Sequence, residues 1–403
     1  MCRCYQGLAD TGHRFPIALF EKGSRVTIFR RNFLRAALAF ALLSLSPAVS
    51  LAAPPAAAPQ LMYLGVWPHT VLVMDSTQGK IIDKINLPTD IARVLVLSPD
   101  KTKLYGSTVK DNSIVSIDLS TRKATDSFSL NTADTNYRLS GLAIDPNGKE
   151  LYSIATPIVK KIDHYEVGDP EFVRIDLAAR KITQMVPFPK DETAPNAYRR
   201  SMKVSPDGKL LYIFGEKIQV FNTTDFKLVK SIELAKTTDP STDSLSLSPT
   251  GDPNEPEGRV TGIFETSDPY VHRRIFGIAD VDLTKMSYDL TPVGPADASM
   301  QPMMLTPDRK LGYTVAISGT HGDRVTEFWV FDMDTKKIIN RRQFLGRTRL
   351  NFGMTADGTK LMIYNAGFQI ELYDAKTLEL LKTIDLEGDT TSNLVVMPLA
   401  KAS

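Results

Sequence analysis

The chain has 403 residues, 42% of them hydrophobic, enough to bury a large core as two or three domains or as one large closed all-β domain. Its 48 Lys/Arg and 46 Asp/Glu nearly balance, and seven of the former and two of the latter precede residue 53, which leaves 41 against 44 beyond it. That slightly acidic remainder carries no footprint of nucleic acid or of an anionic membrane surface as partner.

Both cysteines, Cys2 and Cys4, lie before residue 53, so the chain beyond it offers no disulfide, thiolate nucleophile, Fe–S ligand or covalent c-type haem attachment. Residues 1–53 read as an export signal. Arg30-Arg31-Asn32-Phe33-Leu34-Arg35 is basic, and AALAFALLSLSPAVSLAAPPAAAP supplies an apolar stretch and small residues suited to cleavage near Ala52 or Ala53. Arg30-Arg31 followed by Phe33-Leu34 matches a twin-arginine signal, although Phe29 stands where Ser or Thr is usual. Ordinary secretion is the second reading. An uncleaved anchor of about 18 residues, broken by Pro47, is the third. Residues 1–25 fit no signal, which points to a start near Val26. The expected location is the periplasm, with no stable membrane insertion. Residues 54–60 are a Pro/Ala linker and 61–403 the folded domain.

From residue 61 one pattern recurs: an apolar strand ending in Ser/Thr/Asp-Pro-Asp/Asn-Gly, a strand with Leu-Tyr, a strand ending in Asp, and a last strand after Thr-x-Lys. VLVLSPDKTKLYGS…IVSIDLSTRKATDSFSL and FGMTADGTKLMIYNAGFQIELYDAKTLELLKTIDL are examples. Alternation within each piece is the period-two signature of strands, and Gly and Asp at the turns allow tight reversals. The residue closing the third strand recurs as Asp75, Asp118, Asp176, Asn222, Asp282, Asp332 and Asp374, spaced by 42 to 60 residues. Seven such units predict an all-β, seven-bladed β-propeller of four-stranded blades. LMYLGV, from Leu61, reads as the second strand of a blade, and Asn393-Leu394-Val395-Val396-Met397 as the first strand that completes it. Two β-sandwiches are the alternative, but sandwiches demand no repeat. The closing aspartates read as turn residues rather than catalytic acids.

Connections from second to third strand share the top face of a propeller with the blade-to-blade connections. Residues 157–176, PIVKKIDHYEVGDPEFVRID, interrupt the short-turn pattern there. All four histidines beyond residue 53 fall in such loops: His69, His164, His272 and His321. Trp67, Tyr165, Glu166, Tyr270, Arg273 and Arg274 accompany them, and aromatic and Arg side chains are the types that dominate binding hot spots. We therefore take Trp67, His69, His164, Tyr165, Glu166, Tyr270, His272, Arg273 and His321 as candidates for partner contact or a cavity rim. Packing of long loops is the plainer reading. A metal site is disfavoured, because no HxH, HExxH or carboxylate spacing accompanies the histidines. There is no GxSxG elbow, phosphate-cradling GxxxxGK[ST], GxGxxG after a strand or EF-hand loop. No catalytic, cofactor-binding or metal-binding residue is assigned.

The repeat resembles the YVTN family of seven-bladed propellers. The third unit, IVKKIDHYEVGDPEFVRIDLAARKI, and the last, from Asn365 to Leu386, resemble the β subunit of quinohemoprotein amine dehydrogenase. That resemblance implies a cofactorless subunit of a periplasmic complex that oxidises primary amines to aldehydes. Cysteine tryptophylquinone on a small subunit and haem c on a dihaem cytochrome c subunit would belong to partners. This chain would dock the quinone subunit and help wall the cavity for a small primary amine, so it would be a non-catalytic subunit of an oxidoreductase. The polar stretch SPTGDPNEPEGRV in the fifth unit departs from the pattern. A stand-alone periplasmic YVTN propeller binding a ligand or protein is the alternative. A lactonase or hydrolase is a third reading, without a recognisable nucleophile.

Overall fold

Side-chain alternation is used on both faces of each sheet, and this two-sided burial sets the architecture. A computed structural model describes residues 60–190, 201–215, 217–232, 244–247, 252–267, 274–296, 298–319, 321–346, 349–364 and 367–399. The strands form seven antiparallel sheets in a ring, a seven-bladed β-propeller. Blade three carries one extra short strand, and the inner strand of blade six is split into Ser299–Met300 and Met304–Leu305. The expected export signal, and all of the expected linker except Gln60, lie outside the described residues.

In blade one the second, third and outer strands are Leu61–Val66, Thr70–Asp75 and Lys80–Asn86, and the inner strand is Thr390–Val396. The far end of the chain thus completes the first blade, with Met62 opposite Val396 and Leu64 opposite Leu394. This closing strand starts earlier than the apolar run from Asn393 suggests. Thr390 Oγ1 donates to the Gly65 carbonyl and Ser392 Oγ accepts from the Gly65 N–H, each at 2.7 Å. Asn393 continues the tie sideways. Its amide oxygen accepts from Leu95 N–H at 2.8 Å and its amide nitrogen donates to Leu95 C=O at 2.9 Å, in the inner strand of blade two (Ala92–Leu97).

Neighbouring residues of one strand serve opposite interfaces. Met62 and Leu64 pack with Met362 and Leu372 of blade seven, whereas Tyr63 packs with Leu95 and Val115 of blade two. Seven buried clusters among the described residues each join two adjacent blades around the ring. The outer strands are the more solvated ones within the blades, as in Leu380–Asp385.

The residue that closes each third strand caps the following turn. Asp118 Oδ1 accepts from the Ser120 hydroxyl at 2.6 Å and Thr121 N–H at 2.8 Å, Asp374 Oδ1 from Thr377 N–H at 2.7 Å, and uncharged Asn222 from Thr224 N–H at 2.7 Å. The Ser120 hydroxyl, followed by Thr121, holds the Asp118 carboxyl down at about 2. Backbone N–H groups of Lys285, Thr335 and Thr377 lower Asp282, Asp332 and Asp374.

Four residues after each closing residue the backbone turns left-handed, at Gly79, Arg122, Arg180, Phe226, Met286, Lys336 and Leu378. Six of the seven are not glycine, contrary to the simple turn chemistry expected, although the left-handed region costs an L-residue ~1–2 kcal/mol. The side chains explain the exception, because they reach back to the preceding blade. Arg122 pairs with Asp83 (3.5 Å), Arg180 with Asp126 (2.9 Å) and Lys336 with Asp280 (3.0 Å). Phe226 stacks on Phe172 with ring centroids 4.9 Å apart, and Leu378 joins the cluster around Phe328. In blade one a Cβ on Gly79 would come within 2.9 Å of Leu372 Cδ1, so this position takes glycine.

Two outcomes follow. Phe226→Gly, despite relieving the backbone, is expected to lower stability by about 3 kcal/mol through the lost buried ring, whereas Arg122→Gly stays within about 1 kcal/mol; urea midpoints of both variants decide. The Asp118 cap has a depressed folded pKa, so its stabilisation is complete above the unfolded carboxylate value and lost as pH falls through about 2. Asp118→Asn, the residue type blade four uses, is expected to flatten the decline in urea midpoint between about pH 4 and pH 2.

Candidate functional site

On the top face, blade one turns between its second and third strands through a cis Trp67–Pro68 bond. Trp67 N–H donates to Asp389 C=O and Leu87 N–H donates to His69 C=O, both at 2.7 Å, tying the turn to the connections on either side. The Trp67 and His69 side chains face solvent.

The stretch 157–176 proves to be strand for much of its length. The second strand of blade three, Glu150–Lys160, continues upward beside the inner strand Thr135–Ile144, with Val159 opposite Thr135. Tyr165–Val167 pairs on its other side, Tyr165 opposite Lys160 and Val167 opposite Ile158. The β-branched run Ile158-Val159 at the centre suits such a ribbon. Lys161 N–H donates to His164 C=O at the tip and Gly168 N–H to Pro157 C=O at the base, each at 2.9 Å. The result is a three-stranded arm.

The polar residues of the arm pair locally: Lys161 Nζ lies 3.1 Å from Glu166 Oε2, and His164 Nδ1 lies 2.7 Å from Asp163 Oδ1. Its apolar residues have no such partners. Ile162 is fully exposed, and Tyr165 and Val167 are exposed by 63% and 67%. Exposed Trp67, Val109, Phe368 and Leu345 also lie in top-face connections, of blades one, two and seven and between blades six and seven. Sequence reasoning singled out the histidines and aromatics and passed over Val109, Ile162, Val167, Leu345 and Phe368. Apolar residues set in short polar loops, as in Lys160-Lys161-Ile162-Asp163, were the available signal.

The described candidates therefore occupy two places: Trp67 and His69 on blade one, and His164, Tyr165 and Glu166 on the arm of blade three. Tyr270, His272 and Arg273 lie outside the described residues, as does the side chain of His321, whose backbone opens a single 3-10 turn, His321–Asp323. Arg274, expected in the loop, instead begins the third strand of blade five and pairs with Glu265. Among the described residues no group of three or more His, Cys, Asp or Glu is placed to hold a metal ion, and no helix is long and apolar enough to cross a membrane.

The opposite face is built for cohesion. In four blades the Ser/Thr before Pro or Ala donates its hydroxyl to the Asp two residues on, at 2.6 Å: Ser98 to Asp100, Ser205 to Asp207, Thr306 to Asp308 and Thr355 to Asp357. Blade five replaces this box with the polar excursion seen in the sequence. Asp252 accepts from Leu305 N–H of blade six (3.2 Å), and Glu255 accepts from Lys203 of blade four (2.9 Å) and from Thr261 N–H (3.1 Å). One loop thus ties blades four, five and six together. Burial pushes the Asp252 carboxyl up to about 6, and burial raises Glu255 against the opposing pull of Lys203.

Because the folded pKa of Asp252 is raised, its contribution to stability is full below the unfolded value and is lost as pH rises through about 6. The urea midpoint is expected to fall between about pH 4 and pH 6 and to level off above that. Asp252→Asn should remove that slope whatever it does to the absolute midpoint.

No protein-family model and no curated protein sequence matches the chain. Solved structures do match. The periplasmic gluconolactonase PpgL of Pseudomonas aeruginosa is similar at a TM-score of 0.52 and 12% identity, over 84% of this chain and 99% of that one. A chain of Kuenenia stuttgartiensis hydrazine synthase aligns at 0.47 and 14% identity, over 77% of this chain and 96% of that one. Dihydro-heme d1 dehydrogenase NirN, in complex with DHE, aligns at 0.49 and 15%, over 87% and 78%. At these identities the likeness is one of fold.

Proposed function

We propose that the chain is a docking propeller: the cofactorless subunit of an exported, amine dehydrogenase-like complex, acting in the periplasm. It holds a small quinone-bearing subunit on its top face, and through it a dihaem cytochrome c subunit. The observation that carries this reading is the gathering of exposed apolar side chains on the top of blades seven, one, two and three, consecutive around the ring, with the arm raised among them. Single exposed apolar residues are ordinary, but an apolar group rimmed by charge on one face marks an interaction surface. The resemblance of the third and last units to the β subunit of quinohemoprotein amine dehydrogenase supplies the partner. The primary amine would be oxidised on the quinone subunit, against a cavity wall to which this face contributes.

Tagged protein expressed in its native host on a primary amine is expected to co-purify with a chain carrying c-type haem, whose absorption sharpens when amine is added. A colourless single chain would instead make it a stand-alone periplasmic binding propeller. Ile162→Asp and Tyr165→Ala are expected to weaken partner capture by about tenfold or more, the scale of an interface hot spot, while leaving the melting temperature unchanged. His164→Ala should act in the same direction. Loss of folding with retained capture would place these residues in the scaffold rather than at an interface.

A further inference from the structure

Six of the blades share a detail that the fifth lacks. In each of them a bulge interrupts the pairing of third and outer strands directly before the closing residue, as between Val330 and Phe331 in blade six. In blade five the bulge sits instead between Phe276 and Gly277, toward the top. Beside it, between blades five and six, lies a cavity of about 320 Å³. Its floor is Phe276 and Trp329, with rings 5.6 Å apart at 60°, and Val293 and Ile338 form apolar walls.

Two opposite charges line the same space. Arg341 lies directly across from Trp329 in the sheet, and its guanidinium stacks over the indole at 3.9 Å from the ring centroid. Stacking uses the face of the guanidinium and leaves its N–H edge for a planar anion. Glu327, two residues before Trp329 on the same side of the strand, accepts the indole Nε1–H on Oε2 at 3.1 Å. Its carboxylate keeps acceptor capacity on the other oxygen. Glu327 and Arg341 are diagonal neighbours on one sheet face, ~7–8 Å apart at that register, and no ion pair within 4.0 Å joins them among the described residues. A carboxylate and a guanidinium held apart over an aromatic floor are complementary to a small molecule bearing an ammonium and a carboxylate about two bonds apart, with an apolar body below.

We propose that the cleft between blades five and six binds a free α-amino acid with an apolar or aromatic side chain. Its carboxylate bonds the Arg341 edge, its ammonium bonds Glu327, and its side chain rests on Phe276 against Val293 and Ile338. The cavity is at the lower end of the size range of small-ligand sites, which suits an occupant of this size. The site is separate from the top-face apolar group, and the proposal stands whether or not the docking function holds.

The chain has two tryptophans, Trp67 and Trp329, so Trp67→Phe leaves Trp329 as sole reporter on the cavity floor. Titrating this variant with L-leucine is expected to give a saturable change in emission with half-saturation below about 1 mM. Isocaproate, lacking the ammonium, and isoamylamine, lacking the carboxylate, should bind at least about tenfold more weakly, as each leaves one charge of the cleft unmatched. Arg341→Gln and Glu327→Gln in the same background should each weaken L-leucine by a similar factor. Arg341 is exposed on an outer strand, so its variant is expected to melt like the parent. No saturable signal up to about 10 mM, or binding indifferent to both substitutions or to the missing charges, would overturn the proposal.

Discussion

The ring depends on one non-local pairing, that of Thr390–Val396 with Leu61–Val66. Every other blade is made from a continuous stretch of chain, and each can form by local hairpins whose loop-closure cost is small. Blade one cannot. Without its closing strand, the second strand of blade one would present unpaired backbone groups and apolar side chains at its edge, and a propeller has nowhere to hide such an edge. Gly65 is central to this seam: its N–H and C=O are both taken by closing-strand hydroxyls, and a Cβ there would stand 2.9 Å from both the Ala92 carbonyl and Ser392 Oγ.

Given closure, cohesion is distributed in a directional way. In blades two to seven the turn after the third strand sends one side chain back to the preceding blade, as an ion pair, an aromatic stack or an aliphatic contact. Exposed ion pairs of this kind contribute little individually. The buried contributions, such as Phe226 within the cluster of Phe172, Phe188 and Phe221, are the energetically larger ones. The faces then divide their labour. The bottom spends its polar residues on turn boxes and on the Asp252–Glu255 loop, while the top leaves apolar side chains in water.

Much of the architecture was legible in the sequence because it repeats. Period-two alternation, the closing aspartates and the second-strand character of LMYLGV sufficed for blade number and mode of closure. The left-handed residues were not legible, since Arg122, Phe226 and Lys336 are poor choices for that backbone on intrinsic grounds and only the neighbouring blade explains them. The arm was hidden for a related reason: Lys160-Lys161-Ile162-Asp163-His164 reads as a polar loop until the pairing of Tyr165–Val167 with Ile158-Val159-Lys160 is known. The cleft between blades five and six had no local signature at all. It arises from Phe276, Trp329, Glu327 and Arg341, brought together by register on two different sheets.

The closing strand also sets an order of events in the life of the chain. Ser392 is synthesised 327 residues after the Gly65 it bonds, so the strand that completes the first blade becomes available only when all the other blades have been made, and the ring can close no earlier.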